Sequence, residues 1–218
     1  MREIKRGSLK FNVREDTLDE WIVDEVLSGI YTRPLEIKRS DVVLDIGMNI
    51  GVFSVLAGYL GANIIGYEPE PENFEMAEYN ILNNGLGGIF RNAGVSDENK
   101  TETLYLNEKK NRGQHSITPV KGRKTIDIKC FDINEILDEH RPNKIKIDCE
   151  GEEYKIIMAV VTWGQVDRIV FEWHRKLLKD ESNVKFHKVI CKLEADGFEV
   201  IAKRDGKGWY QFVKCIRK

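Results

Sequence analysis

The sequence contains no apolar run approaching the ~18 residues a membrane span needs, and its start, MREIKRGSLKFNVRED, has no apolar signal segment. A soluble, cytoplasmic protein with no membrane partner is expected. An excess of one charge is missing too: 34 Lys plus Arg against 36 Asp plus Glu leave a net charge of -2. No overall basic field draws such a chain onto nucleic acid, which is disfavoured as a partner. Cysteine is scarce. Cys130, Cys149, Cys191 and Cys215 lie far apart, form no CxxC, and cannot staple 218 residues, so they read as reduced and mostly buried. There is no HExxH and no Cys/His cluster of metal-binding spacing. What the chain does have is 41% hydrophobic residues over a length that buries a full core without disulfides or structural metal.

Residues 1–40 contain one amphipathic segment, in which Leu18, Trp21, Ile22, Val26 and Gly29 form an apolar helical stripe interrupted at Glu25. They are read as a helical segment packed on a domain that spans 41–218. From Val42 the texture changes to short apolar runs alternating with helical patterns, the mark of βαβ units and a parallel sheet. Strands are expected at Val42–Ile46, Asn63–Tyr67, 89–95, 101–106, 125–130, 144–148 and 168–172. Helices fall between them, one of them after Pro71 with Phe74, Ala77, Ile81 and Leu82 on one face. The chain closes on two β-rich runs, 198–202 and 209–216, separated by RDGKG, whose Asp205-Gly206 pair is a hairpin signal. The expected fold is α/β: a doubly wound, seven-stranded, mostly parallel sheet whose last strand enters antiparallel through the hairpin. The polar stretch 107–124, NEKKNRGQHSITPVKGRK, is the least structured part and longer than an ordinary connection.

The most informative segment is DVVLDIGMNIG, an apolar strand running into a glycine-rich turn and then a helix, where a doubly wound sheet binds its ligand. Gly47 and Gly51 permit close backbone approach, but the dinucleotide fingerprint GxGxxG fails at Asn49 and Val52. Asp45, at the strand tip, would repel a pyrophosphate and attract a ligand bearing an ammonium and a sulfonium. S-adenosylmethionine carries both. Glu68 closes the second strand in YEPEPENF and suits ribose hydroxyls, a demand that NAD would also satisfy.

In order along the chain, DIGMNIG, YEPEPENF, RNAGVSD, KIKIDCEGEEY and IVFEWH resemble the FkbM-type methyltransferases, over about residues 41–174. The resemblance implies the class I, Rossmann-like S-adenosylmethionine-dependent fold and methylation of hydroxyl groups on natural products and sugars. It makes Asp45, Gly47, Met48, Asn49 and Gly51 the methionine-binding turn, Glu68 the ribose ligand, and Asn92 and Ala93 the adenine-side contacts. Met48 stands where the family commonly has a small residue. Cys149 occupies a KIDxEG position that is usually apolar.

Methyl transfer to a hydroxyl requires alignment and removal of a proton. Asp148 and Glu150, and likewise Glu172 and His174, are two residues apart at strand tips, so each pair points to one side if strand geometry persists. His174, with an ordinary pKa of about 6.5, ranks first as base, followed by Asp148 and Glu172. The same groups could instead hold Mg or Mn, and either Asp148 or Glu150 could cap a helix starting at Glu152; no metal is adopted. Basic clusters at Lys109, Lys110 and Arg112, at Lys121, Arg123 and Lys124, and at Lys203, Arg204 and Lys207 could meet an anionic substrate. Trp163, Trp173 and Trp209 read as core or rim. The expectation is an O-methyltransferase acting on a small molecule or glycan. The alternatives are an RNA or protein methyltransferase on the same fold, or a nucleoside-binding module without turnover.

Overall fold

The computed structural model describes residues 1–107, 112–174, 182–204 and 210–218. The strands β3 (Val42–Ile46), β4 (Asn63–Tyr67), β5 (Gly88–Arg91), β9 (Lys144–Ile147) and β10 (Arg168–His174) run parallel. They lie in a seven-stranded sheet completed by β11 (Phe198–Arg204) and β12 (Tyr210–Arg217), in the order β11-β12-β10-β9-β3-β4-β5. β12 is antiparallel to both its neighbours, as the closing hairpin reading requires. Asp205, Gly206, Lys207 and Trp209 lie outside the described residues.

Apolar side chains on both faces make the central strands nearly continuous hydrophobic runs, because helices cover the sheet on each side. Leu44, Ile46, Ile145, Ile147, Ile169 and Phe171 face one core. It is closed by α5 (Ile133–His140), α6 (Glu153–Ala159) and α7 (Ser182–Ala195). Val43, Ile64 and Val170 face the other, against α1 (Asp19–Leu27), α2 (Thr32–Leu35), α3 (Val52–Tyr59) and α4 (Pro71–Asn83). α4 starts where Pro71 fixes its first turn and the Glu70 side chain accepts from Asn73 N–H at 2.7 Å.

Four expectations change. Residues 1–40 are not helical throughout: β1 (Arg2–Arg6) and β2 (Leu9–Val13) form an antiparallel hairpin. Its alternate residues Ile4, Leu9, Phe11 and Val13 are buried in the second core, each such large side chain worth about 1.5–3 kcal/mol of burial. The stripe on α1 is its core face only in part: Val26 and Gly29 are buried and Ile22 packs against the core. Val23 and Val26 are buried, whereas Trp21 is 53% exposed and Ile22 and Glu25 are half-buried. On α4, Leu82 is exposed and Asn73, Met76, Ala77, Asn80 and Ile81 are buried. The strand expected at 89–95 is two: β5 stays in the large sheet, and β6 (Gly94–Ser96) leaves it after Asn92 and Ala93. β6 joins a second sheet, β6-β8-β7, with β7 (Lys100–Tyr105) and β8 (Thr125–Asp132).

The stretch 107–124 connects β7 to β8. Lys109 and Lys110 fall outside the described residues. The part from 112 to 124 is well tied. Ser116 bridges to Tyr105, Leu106 N–H donates to the Lys124 carbonyl at 2.8 Å, and Ser116 Oγ donates to the Glu150 carbonyl at 2.8 Å.

Candidate active site

The carboxyl ends of β3 and β9, adjacent at the centre of the sheet, bring the two motifs together. After β3 the chain turns through Gly47 at φ +82°, Asn49 at φ +52° and Gly51 at φ +80°. A Cβ on Gly47 would overlap the Asp148 carbonyl oxygen, so the turn and the segment after β9 pack backbone to backbone there. Glu68, at the tip of β4, holds the turn from the other side: its carboxylate accepts from Asn49 N–H at 2.8 Å and from Glu70 N–H at 3.0 Å. Burial pushes its pKa up to about 7, opposed by those two N–H groups.

Asp45 is held within the fold. It is fully buried, lies 3.1 Å from Lys146 Nζ, and accepts from Ser54 Oγ at 2.7 Å. Lys146 answers its charge inside the fold and also donates to the Gly47 carbonyl at 2.5 Å, so this buried pair braces the turn. Asn92 turns its amide to the Glu68 and Pro69 carbonyls at 2.9 and 3.1 Å, and Ala93 is buried. Their neighbours Gly94 and Val95 line a cavity at this edge of the sheet. Met48, also buried, packs its sulfur where a Cβ on Gly66 would be.

Two cavities adjoin at this edge. The larger is walled by Trp21, Ile22 and Glu25 of α1, by Tyr31, and by Glu172 and His174. The apolar stripe on α1 therefore lines a cleft. The smaller is lined by Glu68, Pro69, Val95, Leu104, His115 and Ile117. Gly47, Gly113, Asp148 and Glu150 belong to both.

Around the junction, His174 is ringed by carboxylates. Its Nδ1 lies 2.7 Å from Glu153 Oε1, while Nε2 lies 3.6 Å from both Asp148 and Glu150 and 3.9 Å from Glu172. Burial alone would lower its pKa, but Glu150, Glu153 and Asp148 raise it well above 6.5. These neighbouring acids favour the charged form of the ring over the neutral one. Asp148 and Glu150 do face one side, though not by strand alternation: β9 ends at Ile147 and Glu150 sits at φ +54°. Neither caps α6. Glu153 binds Gly151 N–H at 3.1 Å, and Glu152, the residue before the helix, makes no side-chain cap. Burial and neighbouring acids push Glu150 up to about 8, and burial and Asp148 push Glu172 up to about 7. Tyr31 Oη lies 2.7 Å from Glu172 and 3.0 Å from Asp148. A phenol has one proton for the two carboxyls, so the trio shares a second when both contacts are hydrogen bonds.

Residues 45–200 match the family described as the methyltransferase FkbM domain. The chain belongs to the FkbM methyltransferase family. It is 26% identical over 176 residues to the hexuronic acid methyltransferase AglP of Haloferax volcanii, covering 78% of this chain and 73% of that one. It is 22% identical over 207 residues to the 31-O-demethyl-FK506 methyltransferase FkbM of Streptomyces tacrolimicus, covering 78% and 77%. Among solved structures, FkbM from Methylobacillus flagellatus superposes with a TM-score of 0.55 at 13% identity, over 81% of this chain and 43% of that one. A precorrin-6y C5,15-methyltransferase from Geobacter metallireducens superposes with a TM-score of 0.52 at 14% identity, over 95% and 94%. These two share the fold. This FkbM-family enzyme is an S-adenosylmethionine-dependent methyltransferase with the class I architecture.

Asp148, Glu172 and His174 place ligand atoms within 4.8 Å of one another, a spacing a metal ion would accept. Sequence reasoning missed Glu153, Tyr31, Lys146 and the α1 wall. The string EGEEY presents three acids with nothing to mark which turns inward. No helix among the described residues is long and apolar enough to cross a membrane.

Proposed function

We propose that this methyltransferase transfers the methyl group to a hydroxyl oxygen of a small molecule or glycan. The nucleoside and methionine of the cofactor occupy the smaller cavity and the Gly47–Gly51 turn, and the acceptor occupies the larger cleft. The observation that carries this reading is that Asp148 and Glu150 line both cavities, putting carboxylates where donor and acceptor would meet. The residues fit the cofactor: Glu68 is a buried acceptor beside a backbone cradle that admits no Cβ, and Asn49 Oδ1 is a buried acceptor without a partner among the described residues. When bound, S-adenosylmethionine supplies a methyl carbon already activated by its sulfonium.

Glu150 removes the acceptor proton. An alcohol ionises well above neutrality and attacks slowly unless a base takes its proton, and a carboxylate lifted to about 8 holds that proton better than an ordinary one. The His174 imidazolium fixes Asp148 and Glu150 from below and offsets their charge. Tyr31 positions Glu172 and Asp148. Asp148, Glu150, Glu172 and Glu25 around the cleft favour an acceptor rich in hydroxyl donors and disfavour one bearing carboxylate or phosphate. The half-exposed indole of Trp21 offers a flat apolar wall for a sugar ring. Among the methylation reactions named for relatives, that of the 31-O-demethyl-FK506 enzyme forms the same kind of bond.

Incubation with a trideuteromethyl donor and pooled neutral sugars, uronates, sugar phosphates and hydroxylated metabolites, followed by mass spectrometry, tests this reading. A labelled methyl ether on a neutral hydroxyl compound is expected. Label confined to nucleic acid, protein or carboxyl esters would overturn it.

A further inference from the structure

His115 stands in the connection between β7 and β8, 9% exposed, and takes no part in the chemistry above. Its Nδ1 accepts from Asn107 N–H at 2.9 Å. That bond fixes the tautomer: a neutral imidazole with Nδ1 as acceptor carries its proton on Nε2. Nε2 is buried and has no partner among the described residues, an unusual state for a donor. Burial, aided by the cations of Arg14, Arg123 and Arg112, lowers the ring's pKa to about 4, so it stays neutral at physiological pH.

The ring lines the smaller cavity together with the acceptor Glu68 and the apolar side chains of Pro69, Val95, Leu104 and Ile117. Leu104 also belongs to the small core formed with Ile128 and Cys130 of β8, against which Ile117 packs. A cavity with apolar walls, an acid on one side and one neutral N–H donor suits a flat heterocycle with an unprotonated ring nitrogen, joined to a sugar whose hydroxyls reach the acid.

We propose that His115 is a specificity-determining residue of this methyltransferase, its Nε2–H donating to a ring nitrogen of the cofactor's adenine. The inference rests on the reading that the smaller cavity receives the nucleoside. It makes the β7–β8 connection part of the cofactor site: Ser116, the next residue, is bound to the Glu150 carbonyl, so the segment that reads the base also touches the catalytic segment. A missing hydrogen bond at this site leaves a buried donor unpaired, which the enzyme feels as lost affinity for the correct base.

Calorimetric titration of the full chain with S-adenosylhomocysteine, and with its 1-deaza, 3-deaza, 7-deaza and 2′-deoxy analogues, tests the proposal. His115→Ala is expected to weaken S-adenosylhomocysteine about tenfold, the usual worth of one such bond. His115→Gln, whose amide N–H reaches a similar position, is expected to retain affinity to within about threefold. One of the three ring-deaza analogues should bind the natural protein about tenfold more weakly, and His115→Ala should lose nothing further with that analogue. Equal binding by His115→Ala and the natural protein, or a loss identical across all analogues, overturns the proposal. So does a penalty that vanishes only with the 2′-deoxy compound, since the donor would then serve the ribose. Should His115→Ala fail to fold, the Gln variant and the analogue series on the natural protein still decide. Failure of the natural protein to bind S-adenosylhomocysteine at all would instead remove the reading of the smaller cavity, and this proposal with it.

Discussion

Glu153 Oε1 lies 2.7 Å from His174 Nδ1, a contact made by a fully buried acid. A histidine read alone as a base of ordinary pKa is, beside Glu153 and within 4 Å of three further carboxylates, biased toward its charged form. Nitrogen-15 NMR of His174 should therefore show both ring nitrogens protonated at neutral pH. Glu153→Gln should lower the ring's titration toward the ordinary range. A neutral ring in the natural protein would remove the imidazolium from the account.

The raised carboxyls link the site to stability. Glu68, Glu150 and Glu172 have folded-state values of about 7, 8 and 7, above the unfolded 4.5. Each contributes stability that is present below the unfolded value and is lost as pH rises through the folded one. His174, also raised, has the same sign: its contribution is full below 6.5 and falls as pH passes its folded value. The melting temperature of the cofactor-free protein should thus fall by several degrees between about pH 5.5 and 8.5, and Glu172→Gln should flatten the slope. A melting temperature that rises over this range would contradict the assigned shifts.

Gly47→Ala should be severe although it adds one methyl. The new Cβ would overlap the Asp148 carbonyl, and φ +82° suits no side chain. Backbone cannot move aside as a flexible side chain does, so a loss of about 1–3 kcal/mol of stability and of measurable S-adenosylhomocysteine binding is expected by thermal shift. Gly85→Ala, also at positive φ but with open space around it, should cost stability without touching cofactor binding.

Glu68→Ala should weaken S-adenosylhomocysteine by roughly 1–3 kcal/mol, as removal of a charged hydrogen-bond acceptor does. Part of that loss will come from the turn, because the same carboxylate holds Asn49 N–H. Glu68→Gln, which keeps one acceptor oxygen, should lose less. Equal affinity in all three proteins by calorimetry would count against Glu68 as the ribose ligand.

The parts legible in the sequence are those where backbone geometry or period leaves one option. DIGMNIG announced its turn because Gly47 and Gly51 both occupy positive φ, and the closing antiparallel strand followed from two β-rich runs at the end of an α/β alternation. The face of α1 was not legible: a helix lining a cleft and a helix facing a core show the same apolar spacing, and only Glu25 within the stripe hinted at the former. The hairpin at 2–13 carried its own alternation, Ile4 and then Leu9, Phe11 and Val13 around Gly7-Ser8, in a segment read for helix. The Asp45–Lys146 pair was not legible, because the sequence does not show that Lys146, a hundred residues on, reaches Asp45 through the adjacent strand. The protonation of His174 depends on Glu153 in the same way.

The central claim is that a carboxylate at the junction of the two cavities, Glu150, takes the acceptor proton, and the pH dependence of kcat in the natural enzyme and in Glu150→Gln tests it most directly. The natural enzyme should show an ascending limb near 8, and Glu150→Gln should lose that limb and about 10²–10⁴ in kcat, with S-adenosylhomocysteine affinity held to within a few-fold. A limb that persists in Glu150→Gln and disappears only in His174→Ala would contradict the account and return the base to the imidazole.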